Sequence, residues 1–501
     1  MLHSIAASLD AHRQTIIDTC SEETALTPEE LAPEFARMTG TLRMFANLLR
    51  EGSWVRASID TRTSEPGAPA ADRSPPALSD PIIGPNHDVR KHLIPLGPVA
   101  VFGSSNFPLA YGVCGGDTAS ALAAGCPVIV KEHPAHPRTG RLIAEVAKEG
   151  IKRTEAPSSC IQIPSAWIQY LRNEDPTDHS IAASLVAHRR VAAVGFTGSL
   201  RGGLAVAQVA AARPFPIPVY AEMGSLNVIV VLRHAMSSRP EQIADELTNS
   251  LLARNGQQCT APGMIIIAGY DNADWMYRAL DERIQRVPAR RMLSPWIAHE
   301  YRQRIAEVVK SGVIEHQCVQ VVPSNAELDV VPATILYTQA VKLENPEAMP
   351  AWKEIFGPAA ILVGAGMNAN AMLFRNGALT TTIIGDPEDF QDSPMDCVDD
   401  AFIGRGVEIM ELLRERCGRL AFNSPPTGVR VCTSMVHGGP FPATNAPHTT
   451  AVGPLAIERW CRPVCYQNCP DAFLPPELQD ANPLGILRTV NGVPTRDPVT
   501  R

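Results

Sequence analysis

A chain of 501 residues is too long for a single hydrophobic core and should divide into two or three domains. Its 45% hydrophobic and 19% charged residues are those of a globular enzyme and exclude a disordered protein. The net charge is −8 and Lys and Arg are scattered, so no basic stripe exists to track nucleic-acid phosphates, and no nucleic-acid partner is expected.

The chain opens with apolar positions at helical spacing, an amphipathic helix rather than a signal peptide. Helices fill the first fifty residues and are expected to break at Pro28 and Pro33. Residues 59–82, rich in Pro, Ser, Ala and Asp, read as a connecting loop. Strand and helix then alternate: strand Val99–Gly103, helix Asp117–Gly125, strand Pro127–Lys131, helix Thr139–Gly150, and a strand near Cys160–Ile163. Strand Val191–Phe196, helix Leu200–Ala212 and strand Val219–Glu222 continue the βαβ pattern of a parallel sheet. Past residue 226 the pattern restarts with strand Asn227–Leu232, helix Pro240–Asn255, strand Met264–Ala268 and helix Asp271–Val287, a second α/β domain.

Beyond about residue 450 short strand-like pieces lie among Pro-rich turns. This tail is expected to lack a core of its own and to dock on another subunit. The longest apolar runs, Val228–Leu232 and Met264–Ala268, are too short to cross a bilayer, so neither a membrane span nor a location other than the cytoplasm is expected. The 12 cysteines should be mostly reduced in such a chain. Cys461, Cys465 and Cys469 are evenly spaced, but zinc sites use tighter pairs and a fourth ligand, so no metal is expected there. His133 and His136, flanked by Pro134 and Pro137, lack the helical spacing of a metalloprotease pair and read as structural.

Chemistry concentrates at three places. In Asn255-Gly-Gln-Gln-Cys259-Thr a cysteine follows a helix within a Gly-containing turn, where backbone N–H groups can face a substrate oxygen. A single cysteine is usually a buried small hydrophobe. Here, however, Glu222 ends the apolar strand PVYAEMGS, where open α/β sheets place their sites. Burial there is expected to raise its pKa and suit it to general-base work; a structural ion pair is the plainer reading. Third, Asn106 sits in the turn Ser105-Asn106-Phe107-Pro108 directly after a strand, able to donate to an oxyanion or simply to form an Asx turn.

Together FGSSNFPL, PVIVK, GFTGSLRGG, YAEMGS, NGQQCT and KEIFGP resemble, in order and spacing, the aldehyde dehydrogenase superfamily over about residues 90 to 470. The tail motifs TGVRVCTSMVHGGPFPAT and RWCRPVCYQN resemble the branch of α-ketoglutarate semialdehyde (2,5-dioxovalerate) and fatty aldehyde dehydrogenases. That resemblance implies a Rossmann-type cofactor domain of residues 1–80 and 98–225 and an α/β catalytic domain of 226–435. A small β oligomerisation element of 81–97 and 450–475 would complete a homodimer or homotetramer. It implies Cys259 as nucleophile, Asn106 with the Cys259 N–H as oxyanion hole, and Glu222 as base for deacylation. Lys131 would hold the adenosine ribose of NAD or NADP. Ser199, Gly198 and neighbouring amides would hold the pyrophosphate, and Glu354 and Phe356 the nicotinamide ribose and ring. CoA-acylating relatives typically lack the glutamate, so Glu222 favours a free acid as product.

The sequence departs from its relatives in places. Ser105 replaces the aromatic usual before the oxyanion Asn, and Pro134 stands where NAD-preferring members carry Glu, which tips the cofactor towards NADP. Arg430 replaces an acid and His448 an arginine near the expected substrate entrance. A substrate carboxylate needs a cationic anchor, for which Arg254 and Arg430 are the candidates, so a short acidic semialdehyde such as α-ketoglutarate semialdehyde is expected. The alternatives are a long aliphatic aldehyde and an idle family member acting as a binding protein. A cofactor-free thioesterase would have no use for Lys131, Ser199 and Glu354.

Overall fold

A computed structural model describes residues 1–62, 87–154, 180–366, 376–391 and 406–500. The expected strand near Cys160–Ile163 and most of the expected 59–82 loop lie outside the described residues. Helices Leu2–Ala11, Arg13–Glu23 and Pro28–Glu51 open the chain. Pro28 occupies the first turn of the third helix, behind a capping box in which the Thr27 side chain accepts from the Glu30 N–H and Glu30 accepts from the Thr27 N–H. The helix ends at Gly52, whose φ of 86° suits glycine. Pro33 does not break this helix, contrary to expectation. Its ring lies on the exposed side, and the one backbone bond it removes is outweighed by the burial of Leu31, Phe35, Met38, Leu42 and Phe45.

Two parallel sheets follow. The first runs in the order Val128–Lys131, Val99–Phe102, Ala193–Thr197, Val219–Glu222. The second runs His316–Val319, Thr334–Gln339, Ala359–Ala365, Met264–Ala268, Ile229–Val231, Ala378–Ile384, Cys417–Phe422, antiparallel only at its first pair. Every residue of Met264–Ala268, Ala359–Ala365 and Ala378–Ile384 is buried, because helices such as Pro240–Leu252 and Tyr270–Gln285 cover the sheet. This is why such strands read as continuous apolar runs rather than as alternating ones.

A third sheet joins distant pieces in the order Cys461–Gln467, Val89–Pro95, Ser58–Asp60, Arg488–Val490, Val493–Thr495. It draws Ser58–Asp60 from the opening stretch and runs to Thr495, beyond the limits expected for the small element. The tail packs against the opening stretch of its own chain: Leu474, Leu478 and Ile486 share a small core with Val55, Ala57 and Ile59. Each piece is too short to hold a core alone, but paired across the sheet they enclose one. Fully buried Arg90 ties the region together, pairing with Asp88 and Asp480 and donating to the Leu478 carbonyl. No helix among the described residues is long and apolar enough to cross a membrane.

Candidate active site

Glu222 closes the strand Val219–Glu222 and is 5% exposed. The free edge of that strand is covered by the loop around Thr444. Met223 N–H donates to the Ala443 carbonyl (2.8 Å), and Asn445 Oδ1 accepts from Ala221 N–H (2.8 Å) while its Nδ2 donates to Val219 (2.9 Å). The same loop delivers His437, 2% exposed, to the carboxylate. His437 Nε2 lies 3.0 Å from Glu222 Oε1 and 3.6 Å from Cys259 Sγ. The imidazole is fixed from its backbone, whose N–H donates to Thr450 Oγ1 and whose carbonyl accepts from Ala451 N–H.

Cys259 stands beyond a left-handed turn in which Arg254, Asn255 and Gly256 have φ of 51°, 55° and 66°. Only glycine fits at 256, since a Cβ there would lie 2.2 Å from the Gly357 carbonyl oxygen. Asn255 Nδ2 donates to the carbonyls of Arg290 and Arg291, and Asn227 Nδ2 donates to the Cys259 carbonyl at 2.7 Å. The strained turn is thus held from several directions.

Burial pushes the Cys259 thiol well above its usual range, the Glu222 carboxylate pushes it further, and Arg37 pulls it back. Burial alone would raise Glu222 as well, as expected from sequence. The charge and hydrogen bond of His437 win, and Glu222 sits below the usual carboxylate value, a correction to that expectation. The ionised carboxylate accepts from His437 Nε2, and the protonated thiol faces the same carboxylate, so Glu222 rather than the ring is the basic group of the trio.

Asn106 is buried, and its carbonyl accepts from Arg254 Nη1 at 2.8 Å. The following amides, Leu109 and Ala110, both donate to Glu34 Oε1 (2.7 and 3.0 Å). Arg254 completes the link: it pairs with Glu34 Oε2 at 2.8 Å, donates to the Glu30 carbonyl and lies 4.3 Å from the Phe107 ring centroid. An arginine so engaged is not a free anchor for a substrate carboxylate, because taking it would strip Glu34 of its partner in the interior. Arg430, the other candidate, is exposed.

The residues expected to hold a nicotinamide dinucleotide fit that role. Gly198 and Ser199 stand exposed at the start of helix Leu200–Ala211, an open N-terminus suited to pyrophosphate. The Ser199 side chain caps the helix by accepting from Gly202 N–H, and Gly198 N–H donates to the Glu222 carbonyl at 3.1 Å. A Cβ at Gly198 or Gly202 would come within 2.9 Å of the Phe196 ring. Lys131 is half-buried at the end of its strand, its ammonium donating to the Glu132 carbonyl. Glu354 lies against Gly224, where a Cβ would approach its carboxylate to 2.6 Å. Burial pushes its carboxyl up to about 7 against a Ser225 backbone hydrogen bond and the charge of Arg304. Phe356 is half-buried two residues on.

The structure thus joins Cys259 with Glu222 and ties the Asn106 loop to the nucleophile turn. His437 carries no assigned role in the sequence reading, although it lies within the tail motif. A lone His in a Gly- and Pro-rich loop gives no local signal, and its partner is 215 residues away. Among the described residues, Cys461, Cys465 and Cys469 do not form a group placed to hold a metal; Glu222, Cys259 and His437 do, with ligand atoms within 4.8 Å of one another.

Comparison with known proteins agrees with this geometry. The model of the aldehyde dehydrogenase family matches residues 1–378, which include Asn106, Lys131, Ser199, Glu222, Cys259 and Glu354. The chain is 39% identical over 498 residues to alpha-ketoglutaric semialdehyde dehydrogenase 2 of Azospirillum brasilense, covering 98% of this chain and 86% of that one. It is 36% identical over 504 residues to the alpha-ketoglutaric semialdehyde dehydrogenase of Acinetobacter baylyi, covering 99% and 87%. Its fold is similar to that of aldehyde dehydrogenase 21 from Physcomitrella patens in complex with succinate, with a TM-score of 0.67 at 18% identity over 93% of this chain and 84% of that one. It also matches Bradyrhizobium japonicum proline utilization A (TM-score 0.69, 19% identity, 93% of this chain), of which it spans only 42%. By its sequence and its fold alike the chain belongs to the aldehyde dehydrogenase family, enzymes that use NAD or NADP.

Proposed function

We propose that this enzyme oxidises a short acidic semialdehyde, of the α-ketoglutarate semialdehyde type, to the free acid through a thioester on Cys259. The single observation that supports the chemistry best is the ionised Glu222 carboxylate, hydrogen-bonded to His437 Nε2 and to the Cys259 thiol. The named activity of the two relatives supports the substrate class.

The thiol proton passes to Glu222, and from it to solvent, as sulfur bonds to the aldehyde carbon. The oxyanion so formed is met by the Asn106 side chain and the Cys259 N–H. Lys131, the amides at the start of helix Leu200–Ala211 and Glu354 would hold NAD or NADP, which would supply the hydride acceptor. When hydride has left the carbon, a thioester remains on Cys259. Glu222 takes a proton from water as its oxygen attacks, the carbon–sulfur bond breaks, and the thiolate regains a proton. Pro134 offers no carboxylate to repel a 2′-phosphate, and Lys131 offers a cation, so NADP⁺ is accepted at least as well as NAD⁺.

The test is the appearance of reduced nicotinamide with each cofactor and a set of aldehydes. Turnover with five-carbon acidic semialdehydes and its loss in Cys259→Ser are expected, with the fold and cofactor binding kept, because an alkoxide forms far less readily than a thiolate. Full activity of that variant would end the covalent mechanism. A strong preference for NAD⁺ in kcat/KM would refute the cofactor reading.

A further inference from the structure

We infer that Arg37 is the residue that takes the substrate carboxylate, and this rests on the acidic-semialdehyde reading above. Arg37 lies on helix Pro28–Glu51, three residues beyond Glu34, and is half-buried. Its guanidinium donates to Tyr111 Oη at 3.2 Å and sits 5.3 Å from that ring's centroid. The acids closest to it on its own helix are engaged elsewhere, Glu30 with Arg290 and Glu34 with Arg254. Among the described residues no carboxylate forms an ion pair with Arg37, so its charge meets only a neutral phenol.

The guanidinium lines a cleft with Thr41, Ala110, Tyr111, Val431 and Val452. Those walls adjoin the reacting groups. Ala110 belongs to the loop that begins at Asn106, Val452 follows Ala451, whose N–H holds the His437 carbonyl, and the Phe107 ring meets Tyr111 edge-on at 6.0 Å. The positive charge of Arg37 also acts on the Cys259 thiol.

A five-carbon semialdehyde acid spans roughly 5 Å from carbonyl carbon to carboxylate carbon, since a zigzag chain advances about 1.3 Å per bond. With its carbonyl at Cys259, its far end would point past the Phe107 and Tyr111 rings towards Arg37. A carboxylate there makes charge-assisted hydrogen bonds to a guanidinium already steered by Tyr111. A neutral aldehyde of equal length would leave that half-buried cation without an anion, and this difference discriminates between them. Arg254 is engaged with Glu34 and Arg430 is exposed, so neither offers the same combination.

The experiment compares kcat/KM for 5-oxopentanoate and pentanal in the wild type, Arg37→Met, Arg37→Lys and Arg430→Met, with glutarate as a competitive inhibitor. In Arg37→Met the ratio of acid to neutral substrate should fall about 10- to 100-fold, as expected for a lost hydrogen-bonded charge. Glutarate inhibition should weaken in parallel. Arg37→Lys should recover part of both, and Arg430→Met should leave the ratio as in the wild type. Because Arg37 also influences the thiol, the ratio rather than either rate alone carries the result. A ratio and a glutarate affinity that persist in Arg37→Met, in an enzyme that prefers the acid, would overturn the anchor and leave the substrate reading intact. A wild type with no preference for the acid would overturn the substrate reading, and the anchor with it. If Arg37→Met does not fold, Arg37→Lys decides: a lysine keeps the charge but not the planar fork, and an unaltered ratio there overturns the inference.

Discussion

Glu222 is ionised and hydrogen-bonded both to His437 and to the Cys259 thiol, so in the proposed mechanism the carboxylate moves the protons and the imidazole holds it in place. Glu222→Gln should give a burst of about one equivalent of reduced cofactor, followed by turnover slowed roughly 10²–10⁴-fold. His437→Gln keeps the carboxylate and should slow turnover less, and turnover as slow as that of Glu222→Gln would give His437 a proton-transfer role of its own. The pH dependence follows from the two shifts. The raised Cys259 thiol is mostly protonated at neutral pH, so its alkylation by iodoacetamide should keep accelerating as pH rises through and beyond its usual value of 9.0. Stability from burying the neutral thiol is present below that value and lost as pH climbs through the folded pKa. For the depressed Glu222 the sign reverses: its contribution is present above the usual value of 4.5 and lost as pH falls through the folded pKa. The meeting of Cys259 and Glu222 could be anticipated from sequence because each stands at a strand or helix end with an unusual neighbour. His437 could not, since the Ala443 and Asn445 edge contacts bring it across from a distant loop.

The helix Pro28–Glu51 belongs to the opening of the chain, yet it organises the site through Glu34 and Arg254. Glu34 is 3% exposed, and its two oxygens hold two backbone amides of the Asn106 loop and the guanidinium from the nucleophile turn. One carboxylate thus ties the Asn106 loop to the turn that precedes Cys259. Arg254 read as a possible anchor from sequence because its spacing from Cys259 was visible and its partner, on a helix some 220 positions earlier, was not. Glu34→Gln leaves Arg254 buried without an anion, which should cost about 3–5 kcal/mol in equilibrium denaturation and lower kcat as the oxyanion loop loosens. Glu34→Gln with Arg254→Met should recover part of that stability, because no unpaired charge then remains. A single variant as stable as the wild type would show that the pair does not bind the two loops together.

Across the whole molecule, legibility follows the range of the contacts. The first parallel sheet, and the strands Ile229–Val231 and Met264–Ala268 of the second, could be read from continuous apolar runs, because burial on both faces leaves a local signature. The third sheet could not, because its strands are short and pair across almost the whole chain, as Ser58 does with Thr489 and Cys461 with Pro95. Its junction with the cofactor sheet is a second instance of the same limit. Trp460 is fully buried and donates from Nε1 to Ser120 Oγ, and Arg459 pairs with buried Asp117 at 2.6 Å. Gly195 permits the approach, since a Cβ there would lie 3.0 Å from the Trp460 ring and 2.8 Å from Asp117. The tail therefore packs against the first parallel sheet of its own chain. Arg459→Met strands the Asp117 carboxylate between helix Gly116–Ala123 and the sheet, at a cost of about 3–5 kcal/mol for a buried charge without its partner. Thermal unfolding should fall accordingly and affinity for NADP⁺ should weaken, while Arg459→Met with Asp117→Asn should regain much of the loss. An unchanged midpoint in the single variant would mean that Trp460 packing alone holds the tail, and that the ion pair contributes nothing to the union of the sheets.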